Sequence, residues 1–394
     1  GRNFNGTQYL HYPQFAEPTG PWNITWDTGD RVKVRLTMLK GAAQRVILAD
    51  GEPPRRKGAP KFLKYVLARN EGENLESNYT GFIEAYRDSP AIRSVTDLRT
   101  EDSLWSDVAV KVELNDRTDY FFSSLNSEEL HRYPAGIQFR GSQAFVSSKG
   151  GRLEMATLIG GAHAAESAAA FEAFNTRIEF AAGIGGRVES TDPAKGTFLT
   201  RSDSIHPGLI RETMILGNAS HKCAYRITGL KRQHDGVWQV NLEADFIVGI
   251  SPLKGIKDRT ALLAERITTY TGHFKGMTLT NESNTSHWRI ASSKMTEVTV
   301  VPDGPVLDAA AVKDVDGDLE RSLVVCDFGP GDEWSVAAAA CMTQSREGYL
   351  ILANSPAKVT LPDGARLSVK KADGTIELLK PTETRGARKV FQTH

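Results

Sequence analysis

What this chain lacks narrows it first. Lys+Arg and Asp+Glu are equal at 48 each, so no net field steers nucleic acid or an anionic membrane, and a polyanion would have to be gripped by a local patch. No apolar run approaches the roughly eighteen residues needed to span a bilayer. Cysteine is nearly absent, with only Cys223, Cys326 and Cys341. So small and odd a number excludes a disulfide framework, and neither a CxxC pair nor Cys/His spacing suggests zinc. Each cysteine reads as a small residue in or beside an apolar strand. The one pairing left open is a single bridge between Cys326 and Cys341. No secretory leader is expected within these residues, because Gly1-Arg2-Asn3-Phe4 opens directly in a polar, aromatic segment. That start reads as a processing boundary with further sequence upstream.

What is present in quantity is the two-residue rhythm of strands. Val32, Val34, Leu36 and Met38 alternate with basic and polar residues, the pattern of a half-buried strand. Residues 64–95 read as a central hairpin, with Tyr65-Val66-Leu67 and Tyr79 to Tyr86 on either side of a polar turn. Val108 to Leu114, Thr118 to Phe122, Gly136 to Ser147 and Leu153 to Ile159 follow, with Asn, Asp and Gly between them. The rhythm returns at Ala224 to Leu230, Val237 to Leu242, Ala244 to Ile250 and Leu323 to Cys326. It closes in a terminal pair joined at Ala372-Asp373-Gly374, a favoured hairpin turn. Two stretches carry helical spacing, Ala162 to Phe174 and Asp258 to Thr268. The expected fold is therefore mainly β, with stacked antiparallel, sandwich-like sheets and two short helices. The expected domains are a large sheet domain over 1–250, a linker with a short helix over 251–284, and a smaller sandwich over 285–394.

Several residue groups could carry chemistry. His11-Tyr12 with Trp22 and Trp26 could line a sugar subsite, since pyranose faces stack on aromatic rings; large aromatics equally plug the end of a sandwich. Arg55, Arg56 and Lys57, with Lys61 and Lys64 close by, form a dense basic cluster that could bind uronate or sulfate, or simply be solvated. His131-Arg132-Tyr133 gathers an imidazole, a guanidinium and a phenol, although neighbours in an extended chain point to opposite sides. His163, His206, His221 and His234 are scattered and read as ordinary loop or core histidines. Asp314, Asp316 and Asp318, with Gly317 for the bend and Glu320 beyond, match a short loop wrapping calcium, or else an acidic turn. Gly183-Ile184-Gly185-Gly186 reads as a turn, because no βαβ unit surrounds it. No organic cofactor is expected.

The succession WNITWDTGDRVKVRLTML, KYVLARNEGENLESNYTGFIEAYRDSPAIRSV, VAVKVELNDRTDYFFSS and GIQFRGSQAFVSSKGGRLEMATLIGG, over about residues 15–250, resembles the C-terminal β-sheet region of heparinase II/III-like polysaccharide lyases. The resemblance implies a secreted protein, extracellular or periplasmic, whose partner is an acidic polysaccharide such as a glycosaminoglycan. It implies β-elimination, in which a base takes the C5 proton, a positive group neutralises the uronate and an acid protonates the departing oxygen. The catalytic (α/α) toroid of such an enzyme would lie upstream, and this chain would form one wall of the cleft. The family's zinc-binding, His-rich stretch has no counterpart here, so catalytic roles transfer to no position; His131 and Tyr133 are the remaining candidates. A non-catalytic carbohydrate-binding or cell-surface β-sandwich is the alternative.

Overall fold

The computed structural model describes residues 10–393 except 40–42, 54–56, 101–102, 105, 162–167, 181–182, 235, 309–311, 313–321 and 372. Among the described residues there are many strands, three single-turn 3-10 helices and no α-helix. The mainly β class stands, the second helix does not, and the described part of the first, residues 168–174, is not helical. Residues 162–167 of the first lie outside the described residues, and Ala170–Ala173 is strand. The chain reverses at Phe174 and Asn175, both at positive φ (52° and 58°), the combination that a two-residue hairpin turn requires. The second expected helix is also a hairpin. Asp258 (φ 54°) and Arg259 join Ile247–Lys257 to Thr260–Leu263, with Lys257 opposite Thr260. An Asp that can cap a helix serves equally in a turn. Here burial of Ala261 and Leu263, two apart, marks a strand.

The chain forms two compact units, one from Gly1–Leu158, Ala170–Arg177 and Met342–Gln344, the other from Ile159–Ala169, Ile178–Cys341 and Ser345–His394. In the first, Leu10–Ala16, Arg45–Gly51 and Leu63–Arg69 make one antiparallel sheet, and Trp22–Asp27, Lys33–Met38 and Gly81–Tyr86 make another. The expected hairpin between Tyr65 and Tyr86 is therefore corrected, since its two strands pair with different partners. Gly81–Tyr86 is drawn to Lys33–Met38 by cross-strand matches such as Leu36 with Ile83 and Arg35 with Glu84. Ile92–Asp97, Val108–Leu114, Thr118–Ser123 and Gln143–Lys149 then run side by side, each antiparallel to the next.

The second unit holds two closed barrels of six strands. Ile184–Asp192, Thr197–Arg201, Val237–Leu242, Lys222–His234, Thr213–Gly217 and Glu333–Val336 close the first. Ile247–Lys257, Thr260–Leu263, Glu297–Val300, His287–Lys294, Thr278–Asn281 and Ser322–Cys326 close the second. Closure leaves no unpaired edge. The stretch 251–284, expected as a linker, is strand and turn of the second barrel. Ser322–Cys326 serves both cores: Leu323 and Val325 point into the second barrel, while Val324 and Cys326, with Phe328, enter the first. A strand covered on both faces reads as an unbroken apolar run, which is why Leu323-Val324-Val325-Cys326 does not alternate. All three cysteines are free thiols, so Cys326 and Cys341 form no bridge.

Candidate functional site

Beyond the barrels, the second unit carries Gly348–Ala353 and Leu367–Lys370, paired in parallel, and Ala357–Pro362 paired with Arg388–Gln392. The ends of these strands, with the 3-10 turn Pro207–Leu209, surround an open pocket of about 990 Å³, at the upper end of the range of ligand sites. Its floor is rigid and polar. The Asn354 side chain accepts from Ala339 N (2.8 Å) and donates to Ala337 O (3.0 Å), and Thr393 Oγ1 accepts from Ala357 N (2.8 Å). Ser355 Oγ is buried beside them with no hydrogen-bond partner among the described residues. A buried hydroxyl left unpaired is costly, so it is a natural point for a ligand to bond.

The rim is predominantly basic, with Arg211, Lys370 and Lys371 against Asp373. Lys371 pairs with Glu377 at 2.5 Å, and Asp373 is held by Thr375 N and Oγ1. Arg211 and Lys370 are exposed and make no ion pair among the described residues. Arg211 also sits at φ +83°, a backbone conformation that costs an L-residue energy. His206 Nε2 lies 3.2 Å from the Asn354 carbonyl. A carbonyl only accepts, so Nε2 carries the proton and Nδ1 is the basic nitrogen of the neutral ring.

A second cluster occupies the point where the chain passes from one barrel to the other. His221 Nε2 is 3.2 Å from Asp327 Oδ1, the Tyr225 hydroxyl donates to Asp327 Oδ2 at 2.5 Å, and Cys223 Sγ lies 3.5 Å from Leu216 O. The donor atoms of His221, Cys223 and Asp327 all lie within 4.8 Å of one another. Burial, reinforced by the Asp327 and Asp332 carboxylates, pushes the Cys223 thiol up to about 12. Burial likewise lifts the Tyr225 phenol well above its usual range, helped by its bond to Asp327.

The turn bearing His221 is fixed from several sides. Asn218 Oδ1 accepts from Ser220 N and His221 N, while its amide donates to Gly276 O (2.8 Å) and Asp332 Oδ1 (2.9 Å). Gly276 must be glycine, since a Cβ there would lie 2.8 and 2.9 Å from the Cβ atoms of Ser220 and His221. Reading the histidines singly missed this group. Its one sequence signal was the His221/Cys223 spacing, which puts both side chains on the same face of an extended chain.

The residues singled out from sequence are not gathered in one place. His11, half-exposed and 3.3 Å from Glu52, and Tyr12, largely exposed, belong to the Leu10–Ala16 sheet. Trp22 and Trp26 lie half-buried on one face of the neighbouring strand in a different sheet. Lys57 is exposed; Arg55 and Arg56 lie outside the described residues, as do His163 and the acidic loop residues Asp314, Asp316, Asp318 and Glu320. His131 and Tyr133 are brought together, on the same face of His131–Tyr133 with rings 6.2 Å apart, but both are buried among Phe122 and Phe139. Asp107, fully buried, sits 3.6 Å from His131 Nδ1.

Burial, with Asp107 nearby, holds the Tyr133 phenol far above its ordinary range, so it stays protonated at neutral pH. Its hydroxyl has no hydrogen-bond partner among the described residues. Tyr133→Phe should therefore leave stability unchanged or raise it by about 1 kcal/mol. A clear loss in urea unfolding would show that the hydroxyl is bonded after all. This trio reads as core. Comparisons with family models, with characterised proteins and with solved structures find no match to this chain.

Proposed function

We propose that this chain binds uronic-acid-containing polysaccharide through the open pocket of its second unit, as the β-rich portion of a polysaccharide lyase of the heparinase II/III-like type. The observation that carries the reading is the lining: a basic rim of Arg211 and Lys370 over a fixed polar floor of Asn354, Ser355 and Thr393. Guanidinium and ammonium groups match a carboxylate or sulfate, while buried amide and hydroxyl groups suit sugar hydroxyls. Apart from the His206 imidazole, no aromatic ring lines this pocket among the described residues, so recognition would rest on charge and hydrogen bonds rather than on stacking.

Arg211→Gly separates binding from folding. Glycine accepts the positive φ at Arg211 without strain, so the variant should match or exceed the parent's stability, by about 1 kcal/mol. Loss of the charge should weaken oligouronate binding about tenfold or more, measured by titration calorimetry. Equal affinity in the two proteins would remove the pocket as the saccharide site.

A catalytic version of the reading rests on His206. With Nε2–H held by Asn354, its Nδ1 could take the C5 proton while Arg211 neutralised the uronate. Ultraviolet absorbance of unsaturated uronates tests it. Turnover by this chain alone that is lost in His206→Ala supports catalysis here. A flat trace with intact binding leaves a binding wall, with catalysis restored only when an upstream toroid is appended.

A further inference from the structure

We infer that His221, Cys223 and Asp327 form a binding site for one divalent transition-metal ion of the zinc type, at the junction of the two barrels. The donor set is an imidazole, a thiol and a carboxylate, the mixture zinc prefers. Tetrahedral bonds of about 2.0–2.3 Å place donor atoms about 3.3–3.8 Å apart. The His221 Nε2 to Asp327 Oδ1 separation of 3.2 Å already matches such an edge, and the whole trio fits within 4.8 Å. A thiolate and a carboxylate supply two negative charges against the cation's two positive ones, so the bound site is neutral, as a half-buried position requires.

The surroundings have the character of a second shell. Tyr225 fixes the carboxylate through its other oxygen. Asn218, Gly276 and the Arg289–Asp332 ion pair fix the turn that presents His221. A plain hydrogen-bond network accounts for His221, Asp327 and Tyr225. Cys223, whose thiol donates to Leu216 O at 3.5 Å, adds a sulfur within 4.8 Å of the ligand atoms of both His221 and Asp327. Three protein donors leave the fourth position to water or to a ligand, the arrangement of an open site rather than a closed structural one. The assignment uses none of the saccharide pocket's residues, so either can fail alone.

Cobalt(II) is the probe. The full chain, freed of metal with a chelator, is titrated with Co²⁺ and followed by absorbance. The expected result is saturation at one ion per chain, with a thiolate-to-cobalt charge-transfer band in the near ultraviolet and d–d bands of tetrahedral intensity in the visible. Cys223→Ser should abolish the charge-transfer band. Cys326→Ser should keep it, because Cys326 points into the first barrel's core. Tyr225→Phe should keep the band while lowering affinity about 10- to 100-fold. Absence of saturable uptake, uptake without a thiolate band, or a band that survives Cys223→Ser overturns the assignment. Should Cys223→Ser lose its native circular dichroism, Asp327→Asn decides: it preserves size and removes one charge, and unchanged Co²⁺ affinity would overturn the site.

Discussion

Asp332→Ala should destabilise the second unit by about 3–5 kcal/mol, the scale for removing one member of a buried ion pair. Asp332 is 1% exposed, and every lone pair it offers is used. Arg289 Nη2 donates to Oδ1 at 2.5 Å and Nη1 to Oδ2 at 3.0 Å; Asn218 Nδ2 reaches Oδ1 and Gly329 N reaches Oδ2, each at 2.9 Å. Among the described residues, truncation leaves the Arg289 guanidinium with only Gly276 O, and removes one of the two acceptors of the Asn218 amide. The penalty is mainly that of the uncompensated cation, so Asp332→Asn should cost less. Against a typical domain stability of about 5–15 kcal/mol, the change should be plain in urea denaturation followed by tryptophan fluorescence. A loss below about 1 kcal/mol would mean that solvent at Arg289, whose side chain is 26% exposed, fully compensates the freed cation and that the pair does not set the junction. Because Asn218 shapes the turn carrying His221, the same substitution should also loosen that histidine.

The turn that delivers Asp332 was written in the sequence, although its target was not. Gly329-Pro330-Gly331-Asp332 closes with Asp332 N bonded to Gly329 O, and Gly331 sits at φ +87°, the sequence and geometry of a type II turn with Pro second and Gly third. The strands before and after it, Leu323 to Cys326 and from Trp334 onward, are equally legible from their apolar runs. Barrel closure is not. It rests on pairings such as Ile184 with Val336 and Ile247 with Cys326, and alternation fixes which face a strand buries without naming the strand beside it. The described parts of the two expected helices fail for one reason. Alanine and leucine at three- and four-residue intervals also occur in short strands, and only the tight turns at Phe174-Asn175 and Asp258-Arg259 tell them apart.

The candidate sites were the least legible part. The pocket joins His206 and Arg211 to Lys370 and Thr393, and Asp327 meets His221 across 106 residues of chain. Neither can be found by local spacing. The local clusters that do stand out in sequence fare differently. His131 and Tyr133 share a face because they are two apart on a strand, yet that face is the buried one, where a phenol serves packing better than proton transfer. A short motif identifies functional groups, while burial decides whether they can be used.

Trp334→Ala should be the costliest change in the first barrel, at about 3–5 kcal/mol, the range for truncating a large buried aromatic. Trp334 is 2% exposed and lies opposite both Gly186 and Leu216, on the two strands that flank Glu333–Val336. Its indole covers Gly186 so closely that a Cβ there would stand 2.9 Å from the ring. Its Nε1 donates to Thr200 Oγ1 at 2.7 Å, and that hydroxyl donates in turn to Arg187 O at 2.7 Å. One side chain therefore joins the packing of the strand that closes the barrel to the polar network of two others. Trp334→Phe separates these contributions: it keeps most of the ring and leaves Thr200 without its donor, for an expected loss of about 1–2 kcal/mol. If Phe costs as much as Ala, the hydrogen bond and not the packing holds the barrel closed. If Ala costs as little as about 1 kcal/mol, the strands on either side hold their register without the ring, and closure belongs to the backbone pairing alone.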